Sequence, residues 1–199
     1  MKGIFLDLET SGLDSRRHRV LEIAFKIIDL ATGEELAAYH SVVKQGEAAW
    51  KGRDRESIRI NGMSWDRVQT GKPEEEVCRD VIAVMQEQDI QRGKAVFICQ
   101  NPSFDRAFFA QIVDTYEQER LLWPYHWLDF ASMYWVLRID EARSGQNSFP
   151  KHLQLSKDAI AQHYKLPPEQ RPHQAMNGVD HLILCYKATV GLVPVTNSC

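Results

Sequence analysis

Residues 4–13, IFLDLETSGL, determine how the rest of the chain is interpreted. The stretch begins as an apolar run typical of a buried strand, and two acids then follow two positions apart. Because alternate side chains of a strand point to the same face, Asp7 and Glu9 present two carboxylates side by side near its end. Like charges this close favour a cation between them, and hard oxygen ligands suit Mg²⁺ or Mn²⁺. The alternative is a carboxylate pair that only caps the turn at residues 10–12.

The composition indicates one packed domain over residues 1–199, with 44% hydrophobic and 26% charged residues. The net charge is −3, which argues against a strongly basic duplex-binding surface, so any contact with nucleic acid should be local and made to an end. We expect a cytoplasmic protein without a membrane span, because the sequence shows neither a secretory signal nor 18 consecutive apolar residues. The four isolated cysteines predict neither a zinc site nor a disulfide framework: Cys78, Cys99, Cys185 and Cys199.

Three strands come first and are followed by a loop-rich region and then by alternating helices and strands. Strands are predicted at 3–8, 20–30, 36–44, 94–100 and 126–130, and helices at 73–88, 103–119, 131–139, 156–164 and 178–190. A short connection joins the second and third strands, which favours a hairpin. The order predicts an α/β fold with a mixed five-stranded sheet, its first three strands antiparallel, flanked by helices.

Two further stretches place polar residues where such a sheet could gather them. In CQNPSFDRAFF, a strand end leads into a helix, and Asp105 follows Phe104 in the first turn. In RPHQAMNGVDHL, His173 lies in a loop ahead of the last helix, and Asp180 follows within that helix. Each has an ordinary structural explanation, since acids favour helix N-termini and loop histidines are usually solvated.

Taken together and in order, these stretches resemble the motifs of the DEDDh 3′–5′ exonuclease family, which includes proofreading exonucleases and oligoribonucleases. The first motif is D-x-E followed by T-[TS]-G, the second is N-x-x-F-D, and the third is a loop histidine followed by a helical aspartate. They match residues 7–12, residues 101–105 and the stretch that begins at His173, and the resemblance covers most of the chain. It implies a ribonuclease H-like fold and a single exonuclease domain.

The resemblance implies a two-metal mechanism acting on the 3′ ends of single-stranded DNA or RNA and releasing nucleoside 5′-monophosphates. Asp7, Glu9, Asp105 and Asp180 would hold two divalent cations, Mg²⁺ or Mn²⁺, that stabilise the attacking and leaving oxygens. His173 would act as the general base that takes a proton from the attacking water. Relatives include homodimers and polymerase-associated subunits, and both assemblies stay open for this chain.

By the same resemblance, Thr10 and Leu13 are expected to contact the terminal nucleotide, and Phe104 and Met63 are further candidate contacts in that pocket and at its rim. Aromatic side chains stack on bases with little sequence preference, which suits a single-stranded end. For Phe104, core packing ahead of Phe108 is an equal alternative, and Met63 is of a type that more often packs in a core.

One position departs from the family pattern. The family aspartate usually stands five residues after the histidine, where this chain has Gly178, and Asp180 stands seven residues after His173. Two extra loop residues would restore Asp180 to the usual place, whereas on a helix already begun the shift turns the side chain about 200° away. Asn177, which is neutral, is the other candidate for a group next to the metal. The alternative function is a catalytically impaired nucleic-acid-binding module on the same fold.

Overall fold

A mixed sheet forms the centre of the computed structural model, which describes residues 1–192, so Cys199 lies outside the described residues. Its strands are β1 (Lys2–Thr10), β2 (Val20–Asp29), β3 (Glu35–Val42), β4 (Ala95–Cys99) and β5 (Trp127–Asp129), in the spatial order β3-β2-β1-β4-β5. The pairs β1–β2 and β2–β3 are antiparallel, and β1–β4 and β4–β5 are parallel. The predicted mixed five-stranded sheet, with its first three strands antiparallel, is confirmed.

The helices of the described residues cover both faces of the sheet. They are α1 (Glu47–Lys51), α2 (Arg55–Asn61), α3 (Trp65–Gln69), α4 (Glu74–Glu87), α5 (Pro102–Ile112), α6 (Thr115–Arg120), α7 (Phe130–Arg143), α8 (Lys157–His163) and α9 (Ala175–Thr189). Within residues 1–192, no helix combines the length and apolarity needed to cross a bilayer.

Local capping explains where the observed helices differ from the predicted ones. The region expected to be loop-rich contains α1, α2 and α3, of which the last two begin where Asp54 and Ser64 accept backbone hydrogen bonds. The helix predicted at 103–119 is instead two helices, because α5 ends at Ile112 and Asp114 caps α6 by accepting the amide of Tyr116. These capping side chains start new helices within stretches whose apolar pattern alone does not show where a helix begins.

Two apolar clusters pack on opposite faces of the sheet and fix the direction of every side chain on β1. Ile4, Leu6 and Leu8 belong to the cluster packed against α4 and α5. Phe5 belongs to the cluster built with α7, α8 and α9, and its ring centroid lies 5.1 Å from that of Tyr186. Since strand side chains alternate, the two acids that follow Phe5 at even spacing face the start of α9.

Candidate active site

The carboxyl end of β1 places two acids on the face of the sheet that α9 covers. Across the antiparallel pair, Asp7 lies opposite Ala24 and Glu9 opposite Glu22. Burial raises the pKa of Glu9 to about 8, and the neighbouring charge of Asp7 adds to the effect. Burial also raises the pKa of Asp7, although Lys157 opposes this. This end of β1 therefore concentrates carboxylates whose charged forms are poorly stabilised by the protein alone.

The connection from β4 to α5 adds a third acid. The hydroxyl of Ser103 donates to the Asn101 side chain at 2.7 Å in the turn that starts α5. Asp105 follows in the first turn and is 6% exposed. Burial raises its pKa well above the ordinary value, and the charge of Asp7 raises it further. The structure thus brings three predicted acids, Asp7, Glu9 and Asp105, to one end of β1.

A buried lysine, which the sequence interpretation did not single out, meets the first of these acids. Lys157 is the first residue of α8, and its Nζ lies 3.2 Å from Oδ1 of Asp7 and 3.1 Å from Oε2 of Glu169. Nζ also lies 3.4 Å from the carbonyl oxygen of Gly178. Burial alone would lower the pKa of Lys157, but the two carboxylates raise it above its ordinary value. Lys157 therefore contributes a fixed positive charge.

Glu169 connects this lysine to the predicted general base. Nδ1 of His173 lies 3.3 Å from Oε1 of Glu169, and the His173 amide donates to the carbonyl of Ile60 at 3.2 Å. Burial opposes ionisation of Glu169, but His181 and Lys157 lower its pKa to about 2. The sequence interpretation missed Glu169, because it lies in a loop without a motif of its own.

The loop that contains His173 packs against the turn after α2. A Cβ at Gly62 would lie 2.8 Å from Cβ of Pro172, and Gly62 has φ +66°, so this position needs glycine for space and for backbone conformation. Next to it, the Asn61 side chain donates to the carbonyl of Thr10 at 3.0 Å. Residues 60–63 therefore connect the loop that contains His173 to the end of β1.

Helix α9 decides which of its residues reaches the acids. It begins at Ala175, so residue 178 is already helical. A Cβ built on Gly178 would lie 2.1 Å from Oδ2 of Asp7 and 3.1 Å from Nζ of Lys157. The family position for the fourth acid thus points at Asp7, but it holds glycine.

Asp180 does not lie with the other acids. The expectation that two extra loop residues would bring it to the metal site is therefore wrong. Its carboxylate is 53% exposed and pairs with Lys26 at 2.7 Å. Because the helix has already begun, moving two residues along it turns the side chain to another face. Asn177 is likewise helical, on α9.

A second buried acid, Glu22, anchors the start of α9. Its side chain is fully buried, and its carboxylate accepts from Arg67 at 2.8 Å and from the Ala175 amide at 3.2 Å. His40 lies 2.6 Å from the same carboxylate. Glu22 was not singled out, although an acid inside the apolar run of β2 is a signal that could have identified it.

The four residues expected to touch the terminal nucleotide occupy different environments. Leu13 is 77% exposed beside the end of β1, whereas Thr10 is buried and its hydroxyl donates to the carbonyl of Gly12 at 2.8 Å. Met63 is buried in a small apolar cluster, in agreement with core packing. The ring of Phe104 is partly buried, 4.8 Å from that of Phe108. Leu13 is the most accessible of the four.

The three acids at the end of β1 are the candidate ligands for a hard cation. Within residues 1–192, no group of three or more His, Cys, Asp or Glu side chains is already arranged to hold a metal ion. Asp7, Glu9 and Asp105 nevertheless have raised pKa values, and a divalent cation would stabilise their charged forms. Gly178 occupies the motif position for a fourth acid.

The fold and these acids together define a nuclease-type α/β domain of the ribonuclease H-like class. The family model described as Exonuclease matches residues 4–183, and the chain belongs to this family. The resemblance to its DEDDh members is confirmed. No curated protein sequence matches the chain significantly.

Solved structures show the same fold at low sequence identity. The nuclease domain of 3′hExo, a DEDDh family member bound to rAMP, has a TM-score of 0.66 and 13% identity, covering 96% of this chain and 93% of that one. Cell-death related nuclease 4 (CRN-4) has a TM-score of 0.68 and 16% identity, covering 96% and 64%. E. coli exonuclease I in complex with a dT13 oligonucleotide has a TM-score of 0.69 and 14% identity, covering 94% and 41%. The chain thus spans less than two thirds of CRN-4 and of exonuclease I.

Proposed function

We propose that this chain is a divalent-metal-dependent 3′–5′ exonuclease that hydrolyses single-stranded DNA or RNA and releases nucleoside 5′-monophosphates. The observation that supports it most directly is the meeting of buried Asp105 and partly buried Asp7 and Glu9 with His173 and Glu169 at one end of β1. Membership of the exonuclease family and the single-stranded dT13 bound to a structural neighbour agree with this assignment.

His173 is the proposed general base. A proton on Nδ1 faces the Glu169 carboxylate, whose Oε1 lies 3.3 Å away, and leaves Nε2 to accept a proton from water. The water oxygen then forms a bond to phosphorus, the bond from phosphorus to the 3′ oxygen breaks, and that oxygen takes a proton from solvent. Glu169 stabilises the imidazolium that results, as a buried carboxylate does in other histidine pairs.

Asp7, Glu9 and Asp105 are the proposed metal ligands. A bound divalent cation supplies Lewis-acid stabilisation of the charge that develops on the phosphate oxygens. Asp7 and Glu9 on a strand and Asp105 at a helix start would hold the cation on rigid elements. Leu13, exposed next to them, offers an apolar surface to the terminal base.

A second candidate function is a nucleic-acid-binding module without turnover. The glycine at position 178 and the ion pair between Lys157 and Asp7 favour it, because both depart from a four-carboxylate centre. Such a module would bind single strands and release no nucleotide.

Degradation of 5′-labelled single-stranded DNA and RNA oligomers distinguishes the two candidates. The wild-type chain and Asp7→Ala are incubated with Mg²⁺, Mn²⁺ or EDTA and resolved on a sequencing gel. We expect a ladder that shortens from the 3′ end and is abolished by EDTA and by Asp7→Ala. Binding without a ladder on either substrate would replace the exonuclease by the binding module.

A further inference from the structure

Gly178 and Lys157 both alter the charge of this site. Relative to a four-carboxylate centre, Gly178 removes one negative charge and Lys157 adds one positive charge, while Glu169 contributes a carboxylate 3.1 Å from Nζ of Lys157. The ammonium therefore lies between the carboxylates of Asp7 and Glu169, as a bound cation would. Gly178 and Lys157 are also neighbours, since Nζ of Lys157 lies 3.4 Å from the Gly178 carbonyl oxygen.

The space around residue 178 explains why a glycine there accompanies Lys157. A Cβ at residue 178 would lie 2.1 Å from the Asp7 carboxylate and 3.1 Å from Nζ of Lys157. An aspartate side chain extends further along this direction and would meet both groups. Glycine therefore leaves room for the ammonium to contact Asp7.

The surroundings of Lys157 resemble the oxygen shell of a hard cation. Its ammonium has three protons to donate and lies within 3.4 Å of three oxygens, which belong to Asp7, Glu169 and the Gly178 carbonyl. The side chain is only 12% exposed. The first turn of a helix disfavours positive charge, so α8 does not account for an ammonium there, whereas the two carboxylates do.

We propose that the Lys157 ammonium replaces one of the two cations of a two-metal centre, so that the chain binds one divalent cation and supplies the second positive charge itself. This inference rests on the proposed exonuclease function. Glu9 and Asp105, neither of which forms an ion pair with any described residue, remain with Asp7 to hold the single cation. Lys157 then keeps its contacts with Asp7 and Glu169 and supplies positive charge next to the single cation.

Counting bound Mn²⁺ tests this inference without reference to turnover. The full chain is titrated with Mn²⁺ in the presence of a nucleoside 5′-monophosphate, and free Mn²⁺ is followed by electron paramagnetic resonance. One Mn²⁺ per wild-type chain is expected. Two Mn²⁺ per wild-type chain would overturn the inference, and this count depends on no substitution.

Variants of Lys157 give a second, independent measurement. Lys157→Met removes the charge that competes for Asp7, so the Mn²⁺ dissociation constant should fall about tenfold or more. Lys157→Arg should retain the wild-type value within about threefold, and the exposed Lys151→Met is the matched control with no expected change. Far-ultraviolet circular dichroism checks that each variant is folded. An unchanged dissociation constant in folded Lys157→Met would contradict the inference.

The two proposals fail in different ways. A chain that binds one Mn²⁺ with the expected dependence on Lys157 but degrades no oligomer would refute the exonuclease function and retain the charge replacement. A chain that degrades oligomers and binds two Mn²⁺ would retain the exonuclease function and refute the charge replacement.

Discussion

The candidate site has two halves that differ in how closely they follow the family pattern. The half formed by β1 and α5 contributes Asp7, Glu9 and Asp105, all acids at the motif positions and all with raised pKa values. The half formed by α8, α9 and the loop between them contributes Lys157 and Gly178 in place of a fourth acid. The first half needs positive charge, and the second half provides some of it.

This difference shows that electrostatic balance can be kept while individual residue types change. The ammonium of Lys157 opposes the rise in the pKa of Asp7 that burial causes. Glu169 lies in the loop of the second half and contacts both Lys157 and His173, so it joins the positive charge to the proposed base. Substitutions in each half separate their contributions.

Asp7→Asn should have the largest effect, because Asp7 is the acid of the first half that also contacts Lys157 of the second half. It would lose a metal ligand and the carboxylate partner of Lys157, and the rate of 3′ shortening should fall by about 1,000-fold. The measurement is the single-turnover rate on a 5′-labelled oligomer with saturating Mn²⁺. A loss of less than tenfold would show that the acids of β1 are not the reacting centre.

His173→Ala should lower the same rate by on the order of 100-fold, because the attacking water loses its proton acceptor. The pH–rate profile of the variant should also lose the limb that the wild type owes to its general base. Added imidazole should restore part of the rate to the folded variant. If His173→Ala keeps the wild-type profile, the base lies elsewhere.

Glu169→Gln should reduce stability by roughly 2 kcal/mol near neutral pH, a figure lowered to allow for solvent screening. The pKa of Glu169 falls from 4.5 to about 2 in the folded chain, so its stabilisation is present above pH 4.5 and is lost as the pH falls toward 2. Urea denaturation of the wild type and the variant should therefore differ at pH 6 and converge near pH 2. A difference that is constant with pH would contradict this ionisation.

Asp180→Asn should have the smallest effect, since the exposed pair with Lys26 contributes less than about 1 kcal/mol. Nuclease rate and Mn²⁺ binding should stay within about twofold of the wild type, in contrast to Asp7→Asn. A large loss of rate in a folded Asp180→Asn variant would return this residue to the metal site.

The sequence predicted the sheet, its antiparallel start and three of the acids, because strand periodicity and short motifs are local properties. It did not reveal Lys157 or Glu169, since their roles depend on contacts across more than a hundred residues or on a loop fold without a pattern. The position of Asp180 depended on where α9 begins, and that start is fixed by Glu22, which accepts the Ala175 amide from another part of the chain. The homodimer or polymerase-associated assembly and the preference for DNA or RNA stay predictions that these local patterns do not decide.

Diffraction from crystals grown with Mn²⁺ and a nucleoside 5′-monophosphate, recorded at the manganese edge, tests the difference between the two halves most directly. One anomalous peak bound by Asp7, Glu9 and Asp105, with Nζ of Lys157 still between Asp7 and Glu169, is the predicted result. Two peaks at the end of β1, with Lys157 displaced from Asp7, would contradict the account.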